Sequence, residues 1–493
     1  MRLFLTTFLI CYVLSLSAQQ KMLTPIDMQG DLYILHDAWV SLHPGLYRYN
    51  TPAEIEARFK LIQQKCARPL SEKQFFILLS QLAQKIKCGH TYLNPLNQDK
   101  ETTARLLPTK VIPFFFEIIN QNHMIITSLP GHFKQLRRGD EITEINGIPV
   151  RRILDSLLTV SRSDGNHAIG KKYFNINETS DEAGAYSLFD IYYPLFFSPP
   201  TNWTFVVKHF KAIKATRYTI TPLTLSVRAD DYKKRYGDIP TGKKSWAYKR
   251  IDMQTAYMKF GTFAFWNSKF DEKRFVDSIF ADLQFHPNVR NIIIDIRNNE
   301  GGDNTGDYIL SYITSTKLGC DDPDHPCFRF LTIPDSLLRY LPTWDKSFKA
   351  PKDPAQFFLN RQGLYEQKPK GDDCAYINPM PNRFKGNVFL MINAKNSSAG
   401  YEMARNVKVN RLGILIGETT GGSQQGINGG EFFFLTLPHS KFEIDLPLIY
   451  NYHPNKPDSG IDPDFNIADR QPDIAKNKDT QLLFVLSLIK KNE

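Results

Sequence analysis

The chain has no lysine- or arginine-rich run longer than three residues, although its 493 residues carry a formal net charge of +10. Nucleic-acid-binding proteins gather positive charge on one helix or stripe, so this scatter argues against a nucleic-acid partner. None of its six cysteines falls in a Cys-x-x-Cys pair, which removes the thiolate metal-site class. Beyond the N-terminus no segment approaches 18 uninterrupted apolar residues, so no membrane-spanning helix is expected in the mature chain. Internal repeats and low-complexity tracts are absent. Hydrophobic content of 42% with charged content of 23% removes the disordered and fibrous classes. No Gly-x-Ser-x-Gly string occurs, which leaves an esterase elbow without support.

Residues 1–18 read as a secretory signal. Arg2 supplies the positive start, Leu3 to Leu16 the apolar run, and Ser15, Ser17 and Ala18 the small residues before cleavage at Gln19. A secreted or periplasmic protein follows, with no stable membrane insertion once the signal is removed. Loss of Cys11 leaves Cys66, Cys88, Cys320, Cys327 and Cys374, of which Cys320 and Cys327 flank a turn and are spaced to close a small loop.

At this length two to four domains are expected. Residues 19–100 read as helical, with Phe75, Phe76, Leu78, Leu79, Leu82 and Ile86 on one face and Gly89 at the helix C-cap. Residues 101–165 turn β-rich, and Ile142 and Ile145 lead into an Asn146-Gly147 hairpin. Residues 166–250 are expected to be a β-rich connection. From 251 to 475, strands at 291–297, 387–393 and 413–417 alternate with helices, the pattern of a layered α/β core. Residues 320–385 interrupt it and are expected to form a lid or cap. Residues 476–493 close the chain as a helix.

Two strings carry the chemistry. Asn291-Ile-Ile-Ile-Asp-Ile-Arg-Asn-Asn-Glu-Gly-Gly302 is a buried strand ending in a glycine pair, and Asn396-Ser-Ser-Ala-Gly-Tyr-Glu-Met-Ala404 is a serine turn opening a helix. A glycine pair beside a serine at a helix start is how an α/β enzyme assembles an oxyanion hole and a nucleophile. With Gly417-Glu-Thr-Thr-Gly-Gly422 and the closing Gly460-Ile-Asp-Pro-Asp464, these strings resemble the C-terminal processing (tail-specific) serine peptidases, the family that includes the tricorn core protease. The segment Gly139-Asp-Glu-Ile-Thr-Glu-Ile-Asn-Gly147 is similar to the signature of PDZ domains, which add a peptide as an extra strand and hold its terminal carboxylate.

The resemblance implies a serine endopeptidase acting on peptides or proteins, recognising substrate C-termini, with no metal or organic cofactor. It makes Ser398 the nucleophile, with the N–H groups of Ala399 and Gly302 as oxyanion donors and Gly301 the alternative to Gly302. Much of the family uses a lysine base after the Gly-Glu-x-x-x-Gly turn, and here Ser423 stands in that place. The reading therefore moves to the histidine-using branch, with His90 as general base. Glu443 and Asp445, on one face of a strand, are the candidates to orient it, and Ser423 is a further possible orienting group. Two rivals remain: a catalytically inactive peptide- or ligand-binding homologue, and an esterase-type acyl hydrolase.

Overall fold

In the computed structural model, which describes residues 21–492 except His132, Asn267, 320–325, 370–375, Tyr452 and Pro454, the strands predicted to carry the motifs lie at the centre of a mostly parallel sheet. The signal segment lies outside the described residues, as do Cys320 and residues 321–325 of the expected Cys320–Cys327 loop. A six-stranded sheet runs in the order Phe465–Asn466, Ile414–Gly417, Asn387–Ile392, Asn291–Asp295, Thr255–Phe260, Trp246–Arg250. Its pairs are parallel except the last, which is antiparallel. Side chains alternate across it, as the period of two requires. Ile292 and Ile294 face the helices Glu272–Phe285 and Ala399–Val409, packing with Val276, Ile279 and Met403. Ile293, Phe389 and Met391 face the C-terminal helix through Val485 and Ile489. Burial on both faces is why these strands read as unbroken apolar runs.

The expected N-terminal helical part is present as the helices Pro25–Leu42, Pro52–Lys65 and Glu72–Gln84, each begun by a capping box: Thr24 with Asp27, Thr51 with Glu54, Ser71 with Gln74. Their apolar faces pack on a five-stranded antiparallel sheet through Leu35, Trp39, Phe76, Phe433, Leu446 and Leu448. Its order is Phe357–Leu359, Tyr365–Gln367, Cys327–Phe328, Glu443–Tyr450, Asn428–Thr436. Three of those strands come from the insertion, so the described part of 320–385 widens a sheet where a separate cap was expected. Gly89 also differs from its expected role. The helix ends at Gln84, and Gly89 lacks a side chain because a Cβ there would meet Asp164 Oδ2 at 2.7 Å.

A third sheet has the order Phe115–Ile119, His123–Ser128, Glu141–Ile145, Trp203–Lys208, Thr216–Ile220. The expected β-rich connection thus splits: two strands complete this sheet, while helices Ile169–Ile176, Leu188–Phe197 and Leu225–Tyr236 make up much of the rest. Among the described residues no helix is long and apolar enough to cross a membrane.

Candidate active site

Strand Asn387–Ile392 ends in a turn that leads straight into helix Ala399–Val409. Within that turn Ser398 has φ 48° and ψ −134°, a backbone conformation unfavourable for a residue with a Cβ. Such strain costs roughly 1–3 kcal/mol and persists where the surroundings over-determine it. Asn396 does so here. Its buried amide donates to Ile296 O at 2.6 Å and Asn299 O at 3.0 Å, and its carbonyl accepts from Gly421 N at 2.8 Å. Serine at a helix start is most often an N-cap. The Ser398 hydroxyl makes no capping bond, and the residue is half-buried, while neighbouring Ser397 is buried. A strained, unbonded serine between a strand and a helix is the geometry of a nucleophile elbow.

Opposite this turn lies the glycine pair. Gly301 has φ 104°, and a Cβ on it would sit 2.7 Å from Ala399 N and 2.9 Å from Ser398 Cβ. A Cβ on Gly302 would sit 2.1 Å from the Phe263 carbonyl. Both positions require glycine for close approach. The Gly301 N–H donates to Asn299 Oδ1 at 2.8 Å. Among the described residues the N–H groups of Gly302 and Ala399 donate to no protein acceptor. These are the two amides expected as oxyanion donors, and the helix start adds its positive end.

His90 is held from behind. Thr91 accepts from His43 Nε2 at 2.6 Å, and the His43 Nδ1 accepts from Gly45 N, which sets that tautomer; burial lowers the His43 pKa to about 3. The His90 ring lies 5.7 Å from the Phe432 ring and against Gly429, where a Cβ would be 3.6 Å from Cε1. Its Nδ1 is buried without a hydrogen-bond partner. Burial lowers the His90 pKa; the Asp164 carboxylate opposes that shift most, and the charges of Arg162 and Lys171 add to it. Among the described residues no hydrogen bond joins His90 to Ser398.

Three charged groups link the two halves. Lys171 Nζ donates to Ser397 Oγ at 2.7 Å and to Glu300 Oε1 at 3.2 Å. Arg162 donates to Gly89 O at 2.9 Å, lies 4.7 Å over the Tyr92 ring, and approaches Glu300 to 3.9 Å. Burial alone would raise the Glu300 pKa, but Lys171, Lys395 and Arg162 hold it well below the usual carboxylate range. Burial pulls the Lys171 pKa down against the attraction of Glu300. His90 and the Ser398 turn therefore share the Lys171–Glu300 pair as neighbours.

Residues 340–467 match the model of peptidase family S41. That stretch is about a quarter of the chain and includes the Ser398 turn, and the match indicates a serine-type peptidase. Its fold is similar to the crystal structure of a serine-to-alanine mutant of CPAF, with a TM-score of 0.62 and 13% identity over 92% of this chain and 94% of that one. A structure of mature CPAF complexed with lactacystin gives 0.61 and 12%, over 92% and 95%. At these identities the likeness is one of fold. No curated protein matches the sequence.

The peptidase keeps Glu443 and Asp445 on one face of strand Glu443–Tyr450, as their spacing predicts. Asp445 N donates to Tyr92 O at 2.9 Å, two residues from His90. Burial raises the pKa of both carboxyls, that of Asp445 to about 7, and neither accepts a hydrogen bond from the histidine. Ser423 Oγ donates instead to Asp458 Oδ1 at 3.3 Å. Asp164, Arg162 and Lys171 are the residues that sequence reasoning missed. They lie more than two hundred positions from Ser398, outside every motif. One signal was present: Glu300, a charge next to a buried glycine turn, requires a cation beside it.

Proposed function

We propose that this peptidase cleaves peptide bonds by acyl transfer, with Ser398 as nucleophile and His90 as general base. The strained Ser398 turn, with the free N–H groups of Ala399 and Gly302 beside it, is the observation that carries the reading. Ser398 Oγ attacks the carbonyl carbon and its proton passes to His90, while the two amides stabilise the oxyanion. The C–N bond breaks as His90 returns the proton to the leaving amine. Water then attacks the acyl ester, again giving its proton to His90, and Ser398 is released. The His90–Ser398 hydrogen bond forms in the substrate complex, since such contacts are often loose in the free enzyme. Asp164 supplies the charge that most favours the protonated ring, a role the sequence reading gave to Glu443 or Asp445.

Peptides or proteins are the substrates, and the scheme uses no cofactor. The N-terminal segment supports a secreted or periplasmic site of action. Recognition of substrate C-termini finds less support. The outer edge of strand Phe115–Ile119, where a PDZ-like module would add a peptide strand, is paired with the chain itself through Phe116 N to Glu178 O at 3.0 Å and Glu178 N to Phe116 O at 3.1 Å. An inactive binding homologue is the second reading, favoured by the unbonded His90. Ser398→Ala decides between them: peptide hydrolysis should fall by roughly 10³ to 10⁶ with folding intact. A wild-type chain that neither turns over peptides nor labels with a fluorophosphonate would leave the binding reading standing.

A further inference from the structure

We propose that Lys171 is a positioning residue of this active site, its ammonium clamping the Ser397–Ser398 turn to the Glu300–Gly302 turn. The inference rests on the reading of Ser398 as nucleophile.

Three acceptors surround Lys171 Nζ: Ser397 Oγ at 2.7 Å, Glu300 Oε1 at 3.2 Å and Lys395 O at 3.5 Å. An ammonium has three N–H groups, and all three are engaged. As an ammonium paired with the Glu300 carboxylate, it holds no lone pair with which to take the serine proton. That distinguishes it from the lysine base used by much of the family, in whose place Ser423 stands. The side chain is 4% exposed, and lysine is almost never so buried without partners. Its stem runs over Gly421, where a Cβ would meet Lys171 Cδ at 2.5 Å. The site is built around it.

What the clamp joins is what catalysis needs in register. Ser397 precedes the nucleophile, and Glu300 precedes the glycine pair that packs on Ala399 N. Lys171 is delivered by helix Ile169–Ile176, whose end is anchored six and seven residues later, where Asn177 and Glu178 bind strand Phe115–Ile119. A misplacement of about 1 Å between the two turns is enough to lower the rate about 10²-fold.

The ammonium also acts on His90 through space, beside Asp164 and Arg162 from the loop before the helix, Glu300 from the facing turn, and Tyr92 and Asp445 on the strand side. Removing one positive charge from that set raises the pH at which the ring loses its proton.

The test compares Lys171→Met and Lys171→Arg in the full chain, measuring kcat and KM for a peptide substrate across pH. Lys171→Met is expected to lower kcat about 10²-fold, with KM within about twofold, and to move the acid-limb midpoint upward. Lys171→Arg is expected to restore the midpoint, with part of kcat. Unchanged kcat and midpoint in Lys171→Met, or a midpoint that arginine fails to restore, overturns the clamp. If the methionine variant does not fold, Ser397→Ala removes the hydroxyl that the ammonium grips: a drop in kcat supports the clamp, and wild-type kcat overturns it. Mapping the fluorophosphonate adduct on the wild-type enzyme separates the two claims. An adduct on Ser398 with unaffected Lys171 variants sinks the clamp alone, whereas an adduct on another serine sinks the nucleophile assignment.

Discussion

His90 and Lys171 are two basic groups taken out of water, and burial lowers the pKa of each. For His90 the consequence is kinetic. A base works deprotonated, so activity should rise with pH through a midpoint below the ordinary histidine value of about 6.5. Measured kcat/KM profiles check this, and a midpoint at an alkaline, lysine-like value would remove the histidine. His90→Ala should lose turnover at neutral pH by a factor on the order of 10² or more. The turns that carry Ser398, Ala399 and Gly302 were legible in the sequence because they are local: one turn, one strand end, one helix start. The partners of His90 were not. Asp164 reaches it from a loop 74 positions away, close to Gly89, whose missing side chain was read as a helix cap. A glycine admits a neighbour as readily as it ends a helix, and only the fold tells the two apart.

Between elements, the glycine turn and the serine turn meet with no room to spare. Gly301→Ala should suffer twice, from a φ of 104° and from a Cβ 2.7 Å from Ala399 N, whereas Gly147→Ala, at φ 80° with nothing within 4 Å, suffers from strain alone. The expected outcome is a loss of roughly 1–3 kcal/mol for Gly301→Ala with a collapse of kcat, against about 1 kcal/mol and normal kcat for Gly147→Ala. Denaturant midpoints and turnover check both. The edge of strand Phe115–Ile119 yields another prediction. Arg228, fully buried, contacts Glu178 at 3.0 Å and Asp190 at 2.9 Å, and breaking such a network to free the edge is costly. Peptides with free and amidated C-termini should therefore bind the intact protein equally; tighter binding of the free form would show that the edge opens. Core strands were readable from their apolar runs. Residues 166–250 were not, because their helices are short, which leaves too few turns to show a periodicity.

Across the whole molecule, the third sheet meets the α/β core around a polar cavity of about 640 Å³ lined by Glu117, Glu418, Asp469, Arg297 and Lys259. Burial, then the neighbouring Asp469 and Glu418 charges, raise the Glu117 pKa to about 8. Burial and Asp469 raise that of Glu418 to about 7. Carboxyls that hold their protons longer in the folded than in the unfolded chain favour folding below pH of about 4. That contribution is lost as pH rises through their folded values. Glu117→Gln, neutral throughout, should gain in Tm over the wild type as pH goes from 5 to 9; a constant difference would show that Glu117 titrates normally. The sequence could not announce this cavity, since its carboxyls come from segments some three hundred residues apart.

The nucleophile is the point on which the rest depends. Reaction of the wild-type chain with a fluorophosphonate, followed by peptide mapping of the adduct, should place the modification on Ser398 and abolish it in Ser398→Ala. An adduct on Ser397, or labelling that survives in Ser398→Ala, would contradict the account.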